Sequence, residues 1–349
     1  MPTFTATQLR ETGLRLFRAC GAPEKEAALV AGELVDASLM GLDSHGVARF
    51  VMYVDQVLGG TIKPGAPIRV VRETPGTAIV DCGANFGIVA GHRMTQIVAE
   101  KVKGHGIACA VSRKCNHVGR LGAYPQKLAE LGLFGFATVN SSRHGHFVSP
   151  WGGREGRLAT NPLAWAAPGE GNPVVMDMST SMIAEGKIRI LMQEGKELPE
   201  GCILDAEGRP STDPHRFYGP PRGTILPFGS PRLGYKGFGL GLMVEILGAT
   251  LAGIPLDPPD PKMMTYGNGL FVMAIDPDAF GGRDGFRALL QELYEYISST
   301  PPAPGNDGVV LPGSLDFRTK EKRSREGIPV ADETWRLILE AGKKAGAVL

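Results

Sequence analysis

Residues 107–141 read IACAVSRKCNHVGRLGAYPQKLAELGLFGFATVNS. IACAVSR is a short, β-prone apolar run, LGAYPQKLAELG carries its apolar residues at helical spacing, and LFGFATVNS returns to an apolar run bounded by polar residues. Strand, helix and strand in succession describe a unit of an α/β sheet with crossovers. Asn116-His117 falls directly after the first strand, before a glycine-containing turn into the helix. Strand ends of this kind are where α/β proteins place ligands.

The alternation extends both ways from this unit. Upstream stand the strand-like IRVVRE and TAIVDC and the helical GIVAGHRMTQIVAEKVKGHG. Downstream, residues 158–178 read as two strands around a Gly/Pro turn, residues 195–232 as a long surface excursion rich in Gly, Pro and Asp, and residues 235–251 as a helix. A strand LFVMAID, a helix over 285–298, a turn PPAPGND, an extended segment ending in LPGS, a charged stretch and a last helix from Asp332 complete the chain. No repeat of solenoid length is present.

The first 60 residues read as helices. Thr5 caps a run to about Cys20, Gly21-Ala22-Pro23 breaks it, and a second run extends to Leu39. A third begins at Ser44, where Val47, Phe50, Val51, Val54, Val57 and Leu58 form one apolar stripe closed by Gly59-Gly60.

Composition narrows the class. A length of 349 residues suits two domains or one large α/β unit with an insertion, and 43% hydrophobic against 21% charged residues excludes disorder as the default. Thirty-seven Lys and Arg against 36 Asp and Glu leave a charge of +1, so no global field draws the chain to nucleic acid or an anionic membrane. Charges interrupt the N-terminal TFTATQLRETGLRLF every few positions, leaving neither a signal-peptide core nor a span of about 20 apolar residues, and a cytoplasmic protein is expected. Cys20, Cys82, Cys109, Cys115 and Cys202 are widely spaced without CxxC, pointing to neither a disulfide framework nor a thiolate metal site.

Two familiar nucleotide motifs are missing. No complete G-x-G-x-x-G occurs; Gly237-Phe238-Gly239-Leu240-Gly241 has the wrong spacing. GSPRLGYKG at residues 229–237 resembles a phosphate loop, but Tyr235 precedes Lys236 and Gly237 stands where a hydroxyl would hold Mg²⁺. A lysine delivered at a helix start still makes an anion site. His144 and His146 offer two metal ligands without a completing pair, which leaves a metal-dependent hydrolase or lyase as an alternative of another class.

The informative constellation is Ser44-His45-Gly46 with Arg49. At the opening turn of the third helix Ser44 can cap free N–H groups, and His45 and Arg49 at i, i+4 share a face. They can present a proton donor or acceptor and a bidentate carboxylate clamp to one small molecule, or form a plain cap with two exposed polar residues. Polar groups also follow apolar runs at Asn140-Ser141-Ser142, Thr160-Asn161-Pro162 and Asp177-Met178-Ser179, each with a turn-forming explanation of its own.

GLDSHGVARF, NHVGRLGAY, TVNSS, PWGG, TNPLAWAAP, VVMDMSTS, AEGKI and GYKGFGLGLMVEIL occur in this order along nearly the whole chain. In them the sequence resembles the second type of malate/L-lactate dehydrogenase family, which includes ureidoglycolate dehydrogenase, diketogulonate reductase and cyclic-imine carboxylate reductase. HVGRLGAY, AEGKI and LPEGCILDAEGRPSTDP look most like its hydroxycarboxylate dehydrogenase branch. The resemblance implies a non-Rossmann α/β fold with a mixed sheet and N-terminal helices, which accounts for the missing glycine fingerprint. It implies an N-terminal helical segment over 1–65 packing with the C-terminal part, an α/β NAD(P)-binding and catalytic core over 66–310, and an extension over 311–349 returning to the N-terminal segment.

The implied activity is hydride transfer between NAD or NADP, with NAD slightly favoured, and a small 2-oxo or 2-hydroxy acid, in a homodimer. Reduction of the C=N bond of a cyclic imine carboxylate is the alternative within the class. His45 matches the family's proton donor and Ser44 its orienting serine, while His117 matches the histidine given that role in some branches; Lys187 of AEGKI joins the catalytic set. Arg49 matches the carboxylate-binding arginine and Thr160 a substrate-contacting position. Cofactor contacts are implied for Arg120, Leu121, Gly122, Ala123, Tyr124, Asn140, Ser141, Asp177, Met178, Ser179, Tyr235, Lys236, Pro312 and Gly313. Two departures stand out: Glu185 in Ala184-Glu185-Gly186-Lys187, where many members carry arginine, and the bulky Arg143-His144-Gly145-His146-Phe147 between NSS and PWGG.

Overall fold

The computed structural model describes residues 1–256 and 267–349. Strand β1 (Thr3–Phe4) leads into helices α1 (Ala6–Ala19), α2 (Glu24–Leu39) and α3 (Arg49–Leu58). Strands β2 (Arg69–Glu73) and β3 (Thr77–Asp81), helix α4 (Gly87–Lys101), strand β4 (Ile107–Arg113), helix α5 (Ala123–Glu130) and strands β5 (Phe134–Val139), β6 (Leu163–Ala167) and β7 (Val174–Met178) follow. Next come α6 (Glu185–Gln193), the short strands β8 (Ile203–Leu204) and β9 (Pro210–Ser211), α7 (His215–Tyr218), β10 (Thr224–Ile225) and α8 (Gly234–Glu245). Strand β11 (Leu270–Ile275), helices α9 (Arg283–Ser298) and α10 (Ser314–Glu326), strand β12 (Ile328–Pro329) and α11 (Asp332–Ala345) end the chain.

Among the described residues seven strands form one mixed sheet in the order β2-β3-β4-β11-β5-β6-β7. Only β3 and β4 run parallel, with Ile79 opposite Val111; the other neighbours are antiparallel. The strand–helix–strand unit at 107–141 is thus a crossover whose two strands never touch, because β11 enters between them some 130 residues later: Met273 pairs with Cys109 on one side and Phe136 on the other. Helices α4 and α5 cover the sheet, burying Met94, Val98 and Leu128 against Val80, Ala110, Ala137 and Val272.

A second core joins the two ends of the chain. Leu9, Leu16, Phe17, Phe50 and Tyr53 from α1 and α3 pack with Ile328, Ile338 and Ala341 from β12 and α11. Thr5 caps α1 reciprocally with Gln8, its Oγ1 accepting from Gln8 N at 3.2 Å and its own N–H donating to Gln8 Oε1 at 2.8 Å.

Two expectations are corrected, and one stretch without a sequence assignment turns out to be a helix. The third helix starts at Arg49 and not at Ser44; residues 43–45 form a single 3-10 turn, so Ser44 caps no helix. The cause is Gly46, pressed so closely on α2 that a Cβ there would lie 2.0 Å from Ser38 Oγ, while that hydroxyl accepts the Val47 N–H. Residues 195–232 are a folded lobe and not a surface excursion: β10-β8-β9 form a small sheet, and Ile203, Phe217 and Ile225 are buried with Ile183 and Ile188. Those apolar residues are scattered among glycines and prolines and meet only when the chain folds back. The charged stretch before the last helix is α10, which has no buried residue and no apolar period to read; Glu321–Arg325 and Lys322–Glu326 pairs at i, i+4 line it instead.

Among the described residues no helix is long and apolar enough to cross a membrane.

Candidate active site

Three elements bring the leading candidates together. His45 closes the 3-10 turn after α2, Arg49 opens α3, and His117 sits in the loop after β4. The turn is clamped from the far end of the chain: Arg323 of α10 donates from both terminal nitrogens to the Asp43 carboxylate, at 2.6 and 3.1 Å, and also to the Ser38 carbonyl. The His117 loop is held by Asn116, whose buried amide donates to the carbonyls of Ala84 and Asn85 at 2.8 and 3.0 Å. Helix α4 begins on top of that loop, at Gly87, where a Cβ would lie 2.1 Å from the Asn116 carbonyl oxygen.

The imidazoles of His45 and His117 stack with centroids 5.8 Å apart and planes 19° from parallel. Ser44 Oγ lies 3.1 Å from His45 Nδ1. The fully buried Tyr53, one helical turn beyond Arg49, places its hydroxyl 2.8 Å from His117 Nδ1 and 3.1 Å from the His117 carbonyl. The Gly119 N–H donates into the same Nδ1 at 3.3 Å, so this nitrogen accepts and neutral His117 carries its proton on Nε2. Burial, then the neighbouring Arg49 charge, pushes His45 down to about 4; the same causes, with His45 added, put His117 well below its usual range. Both rings are therefore neutral near pH 7.

Arg49 donates from Nε to the Ser44 carbonyl at 2.6 Å and from Nη1 to Met52 Sδ at 3.3 Å. Burial lowers its guanidinium from its ordinary value, and among the described residues it forms no ion pair. A half-buried cation without a carboxylate partner, one turn from two neutral imidazoles, is an anion site with proton carriers beside it. The i, i+4 helix face expected for His45 and Arg49 does not exist, since the two belong to different elements; the Ser44 carbonyl on Arg49 Nε brings them together.

The loop that starts at His117 ends at a second cluster. Gly122 N–H donates to Asp177 Oδ2 at 2.7 Å, and a Cβ on Gly122 would meet that oxygen at 3.0 Å and Arg120 Nη2 at 3.2 Å. Arg120 is nearly buried, donates to Gln126 Oε1 at 2.8 Å and leaves its Nε without a partner. Pro312 and Gly313 join from the C-terminal extension: the Pro312 carbonyl accepts from Val175 N, and Gly313, at φ +82°, lies so close to Val175 that a Cβ would meet its carbonyl oxygen at 2.8 Å. Met178 and Ser179 continue from Asp177, with Ser179 Oγ donating to the Ser181 carbonyl.

Other expected contacts lie elsewhere or face inward. Leu121 and Tyr124 are core residues, the Tyr124 hydroxyl donating to the Val118 carbonyl, and Ala123 is also buried; their side chains are committed to packing under the loop. Asn140 donates to Glu245 Oε2 at 2.7 Å and accepts from Gly269 N at 2.8 Å, and with Ser141, Arg143, His146, Arg157 and Glu245 it lines a separate cleft of about 290 Å³. The Thr160 carbonyl accepts from Thr180 N, while the neighbouring Asn161 ties this turn to Gly241 of α8. Tyr235 and Lys236 are exposed at the start of α8, the former edge-on to Trp151. Lys187 is exposed and reaches Cys202 electrostatically; the structure does not bring it to the histidine pair. His146 is engaged by the Ser141 carbonyl and Glu245, His144 is exposed, and among the described residues no three His, Cys, Asp or Glu side chains converge as for a metal.

Sequence reading singled out Glu185 as a departure but missed Tyr53, Arg323 and the Arg189 and Tyr218 partners that hold Glu185. For Tyr53 a signal existed, a hydroxyl on the buried stripe of α3; for the others none did.

Known proteins share this chain's sequence and fold. The family model described as malate/L-lactate dehydrogenase matches residues 4–339. A malate dehydrogenase of Pyrococcus horikoshii is 34% identical over 338 residues, 95% of this chain and 92% of the relative, and its solved structure superposes with a TM-score of 0.89 over 99% of this chain and 96% of that one. Hydroxycarboxylate dehydrogenase B of Escherichia coli is 31% identical over 98% of this chain and 94% of its own. A solved delta1-piperideine-2-carboxylate reductase of Pseudomonas syringae is 28% identical with a TM-score of 0.85, covering 98% of this chain and all of that one.

Proposed function

Because the chain belongs to the malate/L-lactate dehydrogenase family, we propose that it interconverts 2-oxo and 2-hydroxy acids with a nicotinamide dinucleotide as redox partner. The observation that carries this reading is Arg49, a half-buried guanidinium without a carboxylate partner among the described residues, set beside the paired imidazoles of His45 and His117. Arg49 grips the substrate carboxylate with its planar fork. That places the adjacent carbonyl oxygen at the histidines. A neutral imidazole accepts a proton from the 2-hydroxyl in the oxidative direction, and its protonated form returns one in reduction. Burial is the larger cause of the low proton affinity of both rings, and a carboxylate on Arg49 offsets the smaller one, the guanidinium charge.

The residues at the other end of the loop suit a dinucleotide. The unpartnered Nε of Arg120 and the glycine backbone at Gly122 beside Asp177 offer donors and a close approach, while Lys236 is exposed apart from them at the start of α8. NADH or NADPH held there supplies the hydride for the carbonyl carbon. A homodimer in the cytoplasm belongs to the same reading.

Reduction of a cyclic imine carboxylate uses the same clamp and the same histidines. It is the second reading because of the likeness to the piperideine carboxylate reductase.

The test is loss of reduced-nicotinamide absorbance with NADH and NADPH against 2-oxo acids and cyclic imines, with His45→Ala and His117→Ala alongside. Turnover of 2-oxo acids, abolished by one or both substitutions, supports the reading; turnover of imines alone moves the assignment to the second; no turnover with any pair sinks both.

A further inference from the structure

The charge of the substrate is written into the helix beside Arg49, a deduction that rests on the hydroxy-acid reading of the site. Helix α6 begins against the histidine turn: a Cβ on Gly186 would lie 3.7 Å from that of Ser44, whose carbonyl holds Arg49 Nε. The preceding residue, Glu185, and Arg189 one turn further on are both within electrostatic reach of the guanidinium, Arg189 the more strongly.

Glu185 uses both carboxylate oxygens inside the protein. Oε2 pairs with Arg189 Nη2 at 2.7 Å, and Oε1 accepts from the Tyr218 hydroxyl at 2.8 Å. Tyr218 is seated by its edge-on contact with the fully buried Phe217, centroids 4.9 Å apart, so the folded lobe fixes the carboxylate in place. The Glu185 side chain is 23% exposed against 52% for Arg189.

The charges then add up simply. Glu185 cancels Arg189, His45 and His117 are neutral, and Arg49 is left as the unbalanced cation. A substrate with one carboxylate brings the site to neutrality. A second carboxylate or a sulfonate makes it net negative beside a fixed Glu185. We propose that Glu185 is a specificity-determining residue that restricts this site to monoanionic 2-oxo and 2-hydroxy acids with uncharged side chains and rejects dicarboxylates.

The experiment compares kcat/KM for pyruvate and 2-oxobutyrate with that for oxaloacetate in the wild type, Glu185→Gln and Tyr218→Phe, with oxamate binding measured by calorimetry in the wild type and Arg49→Met. The wild type is expected to favour the monoanions by about tenfold or more. Glu185→Gln, which keeps a hydrogen bond to Tyr218, raises kcat/KM for oxaloacetate about tenfold and leaves the monoanions within about threefold. Tyr218→Phe, which retains the charge, retains the preference. A wild type that prefers oxaloacetate, or a Glu185→Gln enzyme that changes both substrate classes alike, overturns the proposal while the dehydrogenase reading stands. Failure of the wild type to reduce any 2-oxo acid, with oxamate binding unchanged by Arg49→Met, removes the reading itself and the proposal with it.

Discussion

The Tyr53 hydroxyl stands 2.8 Å from His117 Nδ1, linking the buried stripe of α3 to a loop 64 residues further along the chain. With Gly119 N–H on the same nitrogen, it holds the imidazole by its Nδ1 edge. Tyr53→Phe keeps the packing and loses the hydrogen bond. We expect kcat to fall roughly tenfold with KM within about twofold, a loss of about 1.4 kcal/mol in the transition state. Steady-state kinetics of Tyr53→Phe beside His117→Asn check this; equal losses in kcat and in protein stability would point to a packing role alone.

Arg49→Met should act mainly on substrate capture. Removing one partner of a half-buried charge pair costs about 3 kcal/mol, somewhat over a hundredfold in kcat/KM. Arg49→Lys restores the charge without the fork and should recover only part of it. Recovery to wild-type values by lysine would argue against a bidentate grip.

Acid stability carries the signature of the two histidines. Burial holds both below their unfolded value, His45 at about 4, so between pH 6.5 and 4 the unfolded chain binds protons that the folded one refuses. Folding stability is therefore full above pH 6.5 and is lost as the pH falls toward 4. His45→Gln should flatten this part of the profile, measured by urea unfolding at stepped pH. A wild-type profile independent of pH in that window would refute the burial of neutral rings.

Proton uptake on ligand binding is the companion result. Burial is the main cause of the low affinity of both rings for a proton, and oxamate bound at Arg49 offsets only the added guanidinium charge, so binding should take up a small fraction of a proton, more at about pH 5 than at about pH 7. Calorimetry in buffers of different ionisation enthalpy reads this directly, and Arg49→Met should abolish it.

Arg323 tests whether the chain end serves the site. Its bonds to Asp43 and Ser38 are partly exposed, so Arg323→Ala should cost only about 1 kcal/mol of stability. Turnover should fall further than that small loss accounts for, because the turn that carries His45 loses its clamp. Undiminished kcat at a temperature well below the melting point would separate the two functions.

Several of these features are legible in residue order. The α/β alternation around residues 107–141, the Thr5 cap, the helices 6–19 and 24–39 and the placement of Asn116-His117 after a strand all come from local spacing. His45, Arg49 and His117 are readable as candidates from their residue types at a helix start and a strand end, and the family resemblance, not local pattern, raises them above a plain cap or turn. Their mutual placement is not readable. The helix expected to put His45 and Arg49 on one face begins too late, and Gly46 against Ser38, 8 residues apart but on different elements, is what bends the chain instead.

What the sequence by itself determined is what depends on neighbours a few residues away: helix and strand periods, caps, breaks, and the residue types able to bind a carboxylate or move a proton. Only the tertiary structure decided that β11 splits β4 from β5, that α10 clamps the histidine turn, that Tyr53 and Gly119 meet at His117 Nδ1 and that Glu185 is held by Tyr218 and Arg189. The physical reason is the range of the forces. Backbone propensity and hydrophobic period act within a turn or a strand, whereas desolvation, ion pairing and ring contact act between whatever residues the packed chain brings together, and that depends on burying all of the apolar surface at once.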